Sequence, residues 1–465
     1  MADKDRPRDR AIPKGRARRS AKVGILAGTQ GARLATTKAT NVGRSSDRKR
    51  ERMDRAALET AERLVDTLGT LKGAAMKMGQ LASFVDTDYL PDEYRELFQD
   101  KLAALRDDAP KMPWEKVRKV LVEEYDEAYE DLFSEIETEA FAAASIGQVH
   151  RGRLPDGRDV AIKIQYPGID AAIRADLSNA TMIMRFAKAL APGLDTKAVA
   201  EELKERVLEE LDYEYEAQNQ RTFARAYRGH PFIYVPDVIS RLSRGRVLVT
   251  EYVSGHGFEQ VKQMEREQRS RFGEIVYRFY WGSIYNLLHF NADAHPGNYV
   301  LMDDGRVAFL DFGMTKRLDR EQVRLEEEAV NARLGGDPEL LREKMAELGF
   351  VKNPSRIDAE RLMEHIDVIG SWYLEDREFE ITPEYVMEVM AAVSDPRSEF
   401  YSLMRRENVP ANELMGRRME MGVLAVLGQL RAKRNWHRIA REWWFGDAPA
   451  TELGKAEHEF WDRRR

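Results

Sequence analysis

Leu58, Ala61, Leu64, Val65, Leu68, Leu71, Ala75 and Met78 recur at three- and four-residue intervals, an apolar stripe that predicts a helix from about Ala56. Pro91, Pro110 and Pro113 punctuate the helical pieces that follow, and "MPWEKVRKVLVEEY" restarts a helix with Pro113 in its first turn. Near Phe141 the pattern changes to alternation. "AFAAASIGQVHRGRL" and "DVAIKIQYP" flank the turn "PDG" and read as paired strands. Helices are predicted from about Ile169 to Leu190 and from about Thr196 to Arg221, followed by the strands "PFIYVPDVI" and "RVLVTEYV". An apolar helix from about Arg271 to Phe290 leads into a loop. A hairpin comes next, Tyr299 to Leu301 and Val307 to Leu310 about the turn pair Asp304-Gly305. Beyond Asp311 the chain reads as helical, with breaks near Gly335-Gly336, Pro354 and Pro383. Strands and helices do not alternate as βαβ units, which argues for α+β and against a doubly wound sheet.

Length adds that 465 residues can fill two or three packed units. With 43% hydrophobic and 33% charged residues the chain reads as soluble and globular. It contains no cysteine, which excludes disulfides, thiolate metal sites and cysteine nucleophiles. No apolar run reaches the ~18 residues of a membrane span, and no secretory signal is legible at the charged start. A cytoplasmic protein is the expectation. The formal charge of -6 hides an asymmetry, because residues 1–55 carry roughly eleven more basic than acidic side chains. A solvated, disordered tail is the first reading of this arm, and peripheral contact with anionic lipid the second. Nucleic acid ranks last, since no aromatic platform or recognised motif accompanies the charge.

The chemistry concentrates around "NADAHPGN" and "FLDFG". Asp293, an amide five residues on at Asn298, and Asp311 on a D-F-G turn have the composition and order of the metal-and-phosphate half of a protein-kinase-like site. The intervening hairpin lets both loops reach one Mg-nucleotide. Asp293 would orient or deprotonate the nucleophile, while Asn298 and Asp311 would hold Mg²⁺ through oxygen. His295 and Pro296 shape the loop. Lys163 in "VAIKIQYP" sits on a predicted strand where an ammonium can bridge nucleotide phosphates. Its carboxylate partner is expected on the following helix, where Leu203, Val207, Glu210 and Glu214 share a face. Glu210 is the first choice, with Glu209 and Glu214 as alternatives. The phosphate-covering turn carries Ala142, Ala143, Ala144 and Ser145 in place of glycines and keeps only Gly147, so it should be stiffer than a glycine-rich loop. Glu251 and Val253, at the end of "RVLVTEYV", complete the expected nucleotide contacts.

"KMGQ" at Lys77 to Gln80, "AAAS", "AIK", "ELDY" at Glu210 to Tyr213, "NADAHPGN" and "DFG" occur in one order. Together they resemble the UbiB (AarF/ADCK) family of atypical protein-kinase-like proteins, over roughly residues 56–330. The resemblance implies a two-lobed protein-kinase-like fold, α+β, with an N-terminal helical extension over the active site and a helical C-terminal region. It implies a regulatory role for Lys77 and Gln80 on that extension, in contact with the Glu210-Leu211-Asp212 element; either Glu210 or Asp212 would take Lys77. It implies ATP or ADP with Mg²⁺ and a link to isoprenoid-quinone lipid biosynthesis. The loop departs from many relatives in opening "NAD" where they show "HAD", which leaves Asn291 without an assigned role.

The expected organisation is a basic arm at 1–55, the helical extension at 56–139, an N-lobe at 140–255, a catalytic C-lobe region at 256–330, and helical C-lobe support at 331–465. The expected function is an enzyme: a Mg-dependent ATP-binding protein that hydrolyses ATP or phosphorylates a small molecule or lipid. An aminoglycoside-phosphotransferase-like small-molecule kinase is the alternative enzyme class, and a nucleotide-gated module without turnover is the alternative outside enzymes.

Overall fold

The computed structural model describes residues 112–125, 129–144, 146–175, 205, 208–394, 400, 403, 410 and 413–464. The basic arm, Lys77, Gln80 and Ser145 lie outside the described residues. The chain divides into two compact units, residues 1–110 with 166–190 and residues 111–165 with 191–465. Of the first, 166–175 is described: a turn with Gly168 at φ +75° opens a helix at 169. All other described elements belong to the second unit.

Alternation in "DVAIKIQ" decides how the main sheet is built. Strands β1 (Glu135–Ile136), β2 (Ala142–Ala144), β3 (Gly147–Arg153) and β4 (Asp159–Gln165) run antiparallel with β6 (Val247–Glu251). On β4, Val160, Ile162 and Ile164 are buried on one face. Helix α1 (Trp114–Tyr125) covers that face with Val117, Val120 and Leu121. Lys163 therefore points to the other side, as the two-residue period of a strand requires. The β3–β4 turn uses Gly157 at φ +87°, where glycine alone is unstrained.

After a one-turn helix α2 (Tyr129–Leu132), the next helix described in full is α3 (Tyr213–Ala226). The expected helix to Arg221 is corrected here. Asp212 takes an extended backbone, and its side chain accepts from Glu214 N as an N-cap, so a new helix starts at Tyr213 with its own phase. The buried stripe is Tyr213, Glu216, Ala217, Gln220, Phe223 and Ala224.

Strand β5 (Ile233–Tyr234) leaves the main sheet and pairs parallel with β10 (Val307–Phe309). β10 pairs antiparallel with β9 (Tyr299–Leu301), and β9 in turn with β7 (His256–Gly257), about the expected D-G turn with Gly305 at φ +82°. A short helix α4 (Phe258–Val261) precedes the long α5 (Arg266–Leu287), whose side chains from Phe272 to Ile284 are largely buried. Strand β8 (His289–Asn291) follows and pairs with β11 (Thr315–Arg317). Helices α6 (Arg320–Leu334), α7 (Pro338–Glu347), α8 (Ala359–Leu374), α9 (Pro383–Ser394), α10 (Leu414–Leu430), α11 (Trp436–Trp444) and α12 (Glu452–Asp462) complete the helical half. Breaks fall at the expected Gly335-Gly336, Pro354 and Pro383, while those at 431–435 and 445–451, and the short strands beyond Asp311, were not expected.

One polar cluster pins this half together. Arg278 on α5 is fully buried and bonds Glu274 at 3.0 Å, Glu442 at 2.9 Å and Glu457 at 2.8 Å. Burial opposes the guanidinium charge, but these carboxylates on α5, α11 and α12 outweigh it.

Candidate active site

Lys163 from β4 reaches across to two carboxylates. Its Nζ lies 2.7 and 2.9 Å from the oxygens of Glu216 and 3.3 Å from Oδ2 of Asp311. It also stands 5.1 Å from the ring centre of Tyr213, the first residue of α3. The partner is thus Glu216, and the assignment of Glu210, Glu209 or Glu214 is corrected. The reason is the phase reset at Asp212, which places Glu216 beside Ala217 on the buried stripe. Glu214 instead points outward to Arg221 at 2.9 Å. Burial works to lower the Lys163 ammonium, yet Asp311 and Glu216 hold it well above its ordinary value. Burial pushes Glu216 up to about 7, with Lys163 opposing. The two carboxylates thus hold the Lys163 ammonium protonated, while burial and the neighbouring Asp311 raise Glu216 against the pull of that cation.

The Asp293 loop is fixed from several sides. Tyr280 of α5 donates to the Asp293 carbonyl at 3.0 Å. Asn298 Nδ2 donates to Asp293 Oδ2 at 3.1 Å, and the Asn298 backbone N–H donates to the His295 carbonyl. Arg418 of α10 forms an ion pair with Asp293 Oδ1. Asn291, buried at the end of β8, donates to the Asp311 carbonyl and accepts from Asp293 N at 2.8 Å. A single amide side chain thereby ties the Asp293 loop to the D-F-G turn. Asp311 Oδ1 accepts from Gly313 N at 2.9 Å, which sets the carboxylate in the turn. Phe312 is buried against Phe223 of α3 at 5.0 Å between ring centres, and its carbonyl accepts from Asn219 at 3.3 Å.

Asp311 carboxylate oxygens and the Asn298 amide oxygen are hard donors of the type Mg²⁺ takes. Among the described residues no group of three or more His, Cys, Asp or Glu forms a metal cage. The donor set fits Mg²⁺, which Asn298 and Asp311 would hold.

Ala142, Ala143 and Ala144 form a strand rather than a turn, paired to Val149, Gln148 and Gly147. Gly147 has a local reason: a Cβ there would stand 2.2 Å from the Ile164 carbonyl oxygen. Glu251 turns its Oε2 to Tyr234 OH at 2.7 Å and Asp237 N at 3.0 Å, and Val253 follows β6 half-buried. Asp212 serves as the α3 cap.

Three residues of the site escaped sequence reasoning. Glu216 was obscured by the helix phase, although Asp212 before a fresh apolar stripe was the signal available. Asn291 stands out in the sequence only as the departure that opens "NAD", with no role attached. Arg418 lies 125 residues from Asp293 in the chain, and nothing in the local pattern marks it.

Residues 104–345 match the family model of the ABC1 atypical kinase-like domain. The chain belongs to this family. ABC1 (UbiB/AarF/ADCK) relatives include the mitochondrial atypical kinase COQ8B of Rattus norvegicus, 32% identical over 75% of this chain and 65% of that protein. COQ8B of Danio rerio is 28% identical over 74% of this chain and 57% of its own length. The chain thus spans less than two thirds of these relatives. Among solved structures, Rv3197 of Mycobacterium tuberculosis in complex with erythromycin superposes with a TM-score of 0.61 at 32% identity, over 87% of this chain and all of that one. The family match and this neighbour establish the α+β kinase-like fold. Among the described residues no helix is long and apolar enough to cross a membrane.

Proposed function

We propose that this ABC1-family chain binds ATP or ADP with Mg²⁺ and catalyses phosphoryl transfer from ATP to water, a small molecule or a lipid in isoprenoid-quinone metabolism. The observation that carries the reading is Lys163 of the sheet meeting both Glu216 and Asp311, because it joins a phosphate-binding cation to a metal-binding carboxylate. Bound Mg²⁺ would supply charge neutralisation at the phosphates. Lys163 steadies the phosphate chain, and Glu216 holds Lys163 extended. Asp293 accepts the proton of the attacking hydroxyl or water as a new P–O bond forms and the bond to the ADP oxygen breaks. Asn298 orients Asp293. The COQ8 relatives support the quinone context, and a cytoplasmic site with the basic arm at a membrane surface is part of the same proposal.

The relative solved with erythromycin favours a second reading, in which the ligand is a preformed small natural product rather than a lipid. Thermal-shift titration with Mg-ATP, Mg-ADP, quinone head groups and macrolides separates the two. Phosphate release by wild type should exceed that of Asp311→Asn by at least about 100-fold. Equal rates would remove catalysis from this site.

A further inference from the structure

Helix α10 meets the Asp293 loop at two points one turn apart. Arg418 pairs with Asp293, and both side chains are nearly buried, at 10% and 14% exposed. Gly422, four residues on, faces the next loop residue: a Cβ there would lie 2.9 Å from both the Cβ and the carbonyl oxygen of Ala294. The absence of a side chain at 422 is what lets the helix come close enough for the guanidinium to reach. Both contacts come from beyond the residues that the family model covers.

We infer that α10 is a latch on the catalytic loop and that Arg418 is a positioning residue for the carboxylate of Asp293. This inference rests on the reading of Asp293 as proton acceptor. The two oxygens of Asp293 are held separately, Oδ1 by Arg418 and Oδ2 by Asn298. With both ends fixed, the carboxylate plane cannot rotate, so the group keeps one direction toward an incoming hydroxyl. Without Arg418 the carboxylate loses its hold on Oδ1. A loose proton acceptor loses rate more than it loses nucleotide affinity, since Arg418 touches Asp293 and not the ammonium that meets the phosphates.

The test uses the full chain with Arg418→Met, Arg418→Lys, Gly422→Ala and the double variant Asp293→Asn/Arg418→Met. Arg418→Met should lower kcat for phosphate release from Mg-ATP about 10–100-fold with KM for ATP within about twofold. Arg418→Lys should recover part of the loss. In the Asp293→Asn background the Arg418 change should add nothing further. Hydrogen exchange gives a readout independent of turnover: amides of residues 292–298 should exchange faster in Arg418→Met and in Gly422→Ala, while β3 and β4 keep wild-type protection. Wild-type exchange over 292–298 in Arg418→Met overturns the inference, and so does a fall in kcat that persists undiminished in the Asp293→Asn background. If Arg418→Met does not fold, Arg418→Lys and Gly422→Ala give the same exchange comparison. Faster exchange without any wild-type turnover would overturn the kinase reading and leave the latch standing.

Discussion

Lys163 and Glu216 are joined by two short contacts, 2.7 and 2.9 Å, across 53 residues of chain. The pair couples the main sheet to α3, and Asp311 adds a third corner. Substituting Glu216 with Gln should therefore weaken Mg-ATP affinity or turnover by about 10–100-fold. Glu210→Gln should change either by less than about threefold. Isothermal titration with Mg-ADP and initial-rate kinetics on both variants check the assignment. A larger effect at Glu210 would restore the partner expected from sequence.

Asn291 is placed to bond Asp293 and Asp311 at once. Asn291→Ala takes away the one side chain that both the Asp293 N–H and the Asp311 carbonyl bond, a cost of about 1–3 kcal/mol. Thermal melting should fall accordingly, and kcat should drop about 10-fold or more as the two loops lose their common anchor. A variant with wild-type rate would show that the bridge is structural only.

How far this was legible in the sequence depends on the kind of signal. The β9–β10 hairpin carried a D-G turn between apolar triplets, and β4 carried a strict alternation, so both elements and the side Lys163 faces could be read locally. Glu216 could not be reached by extending one periodic helix through Asp212, because a side-chain cap restarts the count of 3.6 residues per turn. The alanines at 142–144 sit in a segment that reads both as a strand and as the phosphate-covering turn; the structure pairs them locally with Gly147 to Val149, so the strand reading holds and the turn is confined to the residues between. Arg418 is a tertiary contact with no local precursor at all.

Arg278→Met should be strongly destabilising. It removes the cation that compensates Glu274, Glu442 and Glu457 in a fully buried position, a loss of about 3–5 kcal/mol for a broken buried pair. Chemical denaturation should show a lower midpoint at unchanged nucleotide stoichiometry in whatever fraction remains folded. A variant as stable as wild type would mean that the surrounding carboxylates are neutral in the fold.

Stability should also fall as the solution becomes alkaline. Burial, with Glu413 and Glu420 close by, pushes Glu326 of α6 up to about 8. A carboxyl raised in the folded state binds its proton more tightly there than in the unfolded chain. Its contribution is complete below the ordinary carboxylate range and is lost as pH rises through about 8. Glu326→Gln should be more stable than wild type at pH ~9, by about 2–4 °C in Tm for each kcal/mol recovered. The difference should shrink toward pH ~5. Melting curves across that range test the sign, and a variant advantage that grows in acid would refute it.

The buried guanidinium of Arg278 has a consequence for biosynthesis. Its partners arrive on α5, α11 and α12, so the half that carries Asp293 cannot seal until the ribosome has delivered Glu457. A transcript truncated between the codons of Asp311 and Glu457 would yield a polypeptide with Lys163, Asp293 and Asp311 present and Arg278 short of at least one compensating carboxylate. Such a product is a natural substrate for quality-control proteolysis rather than a partly working enzyme.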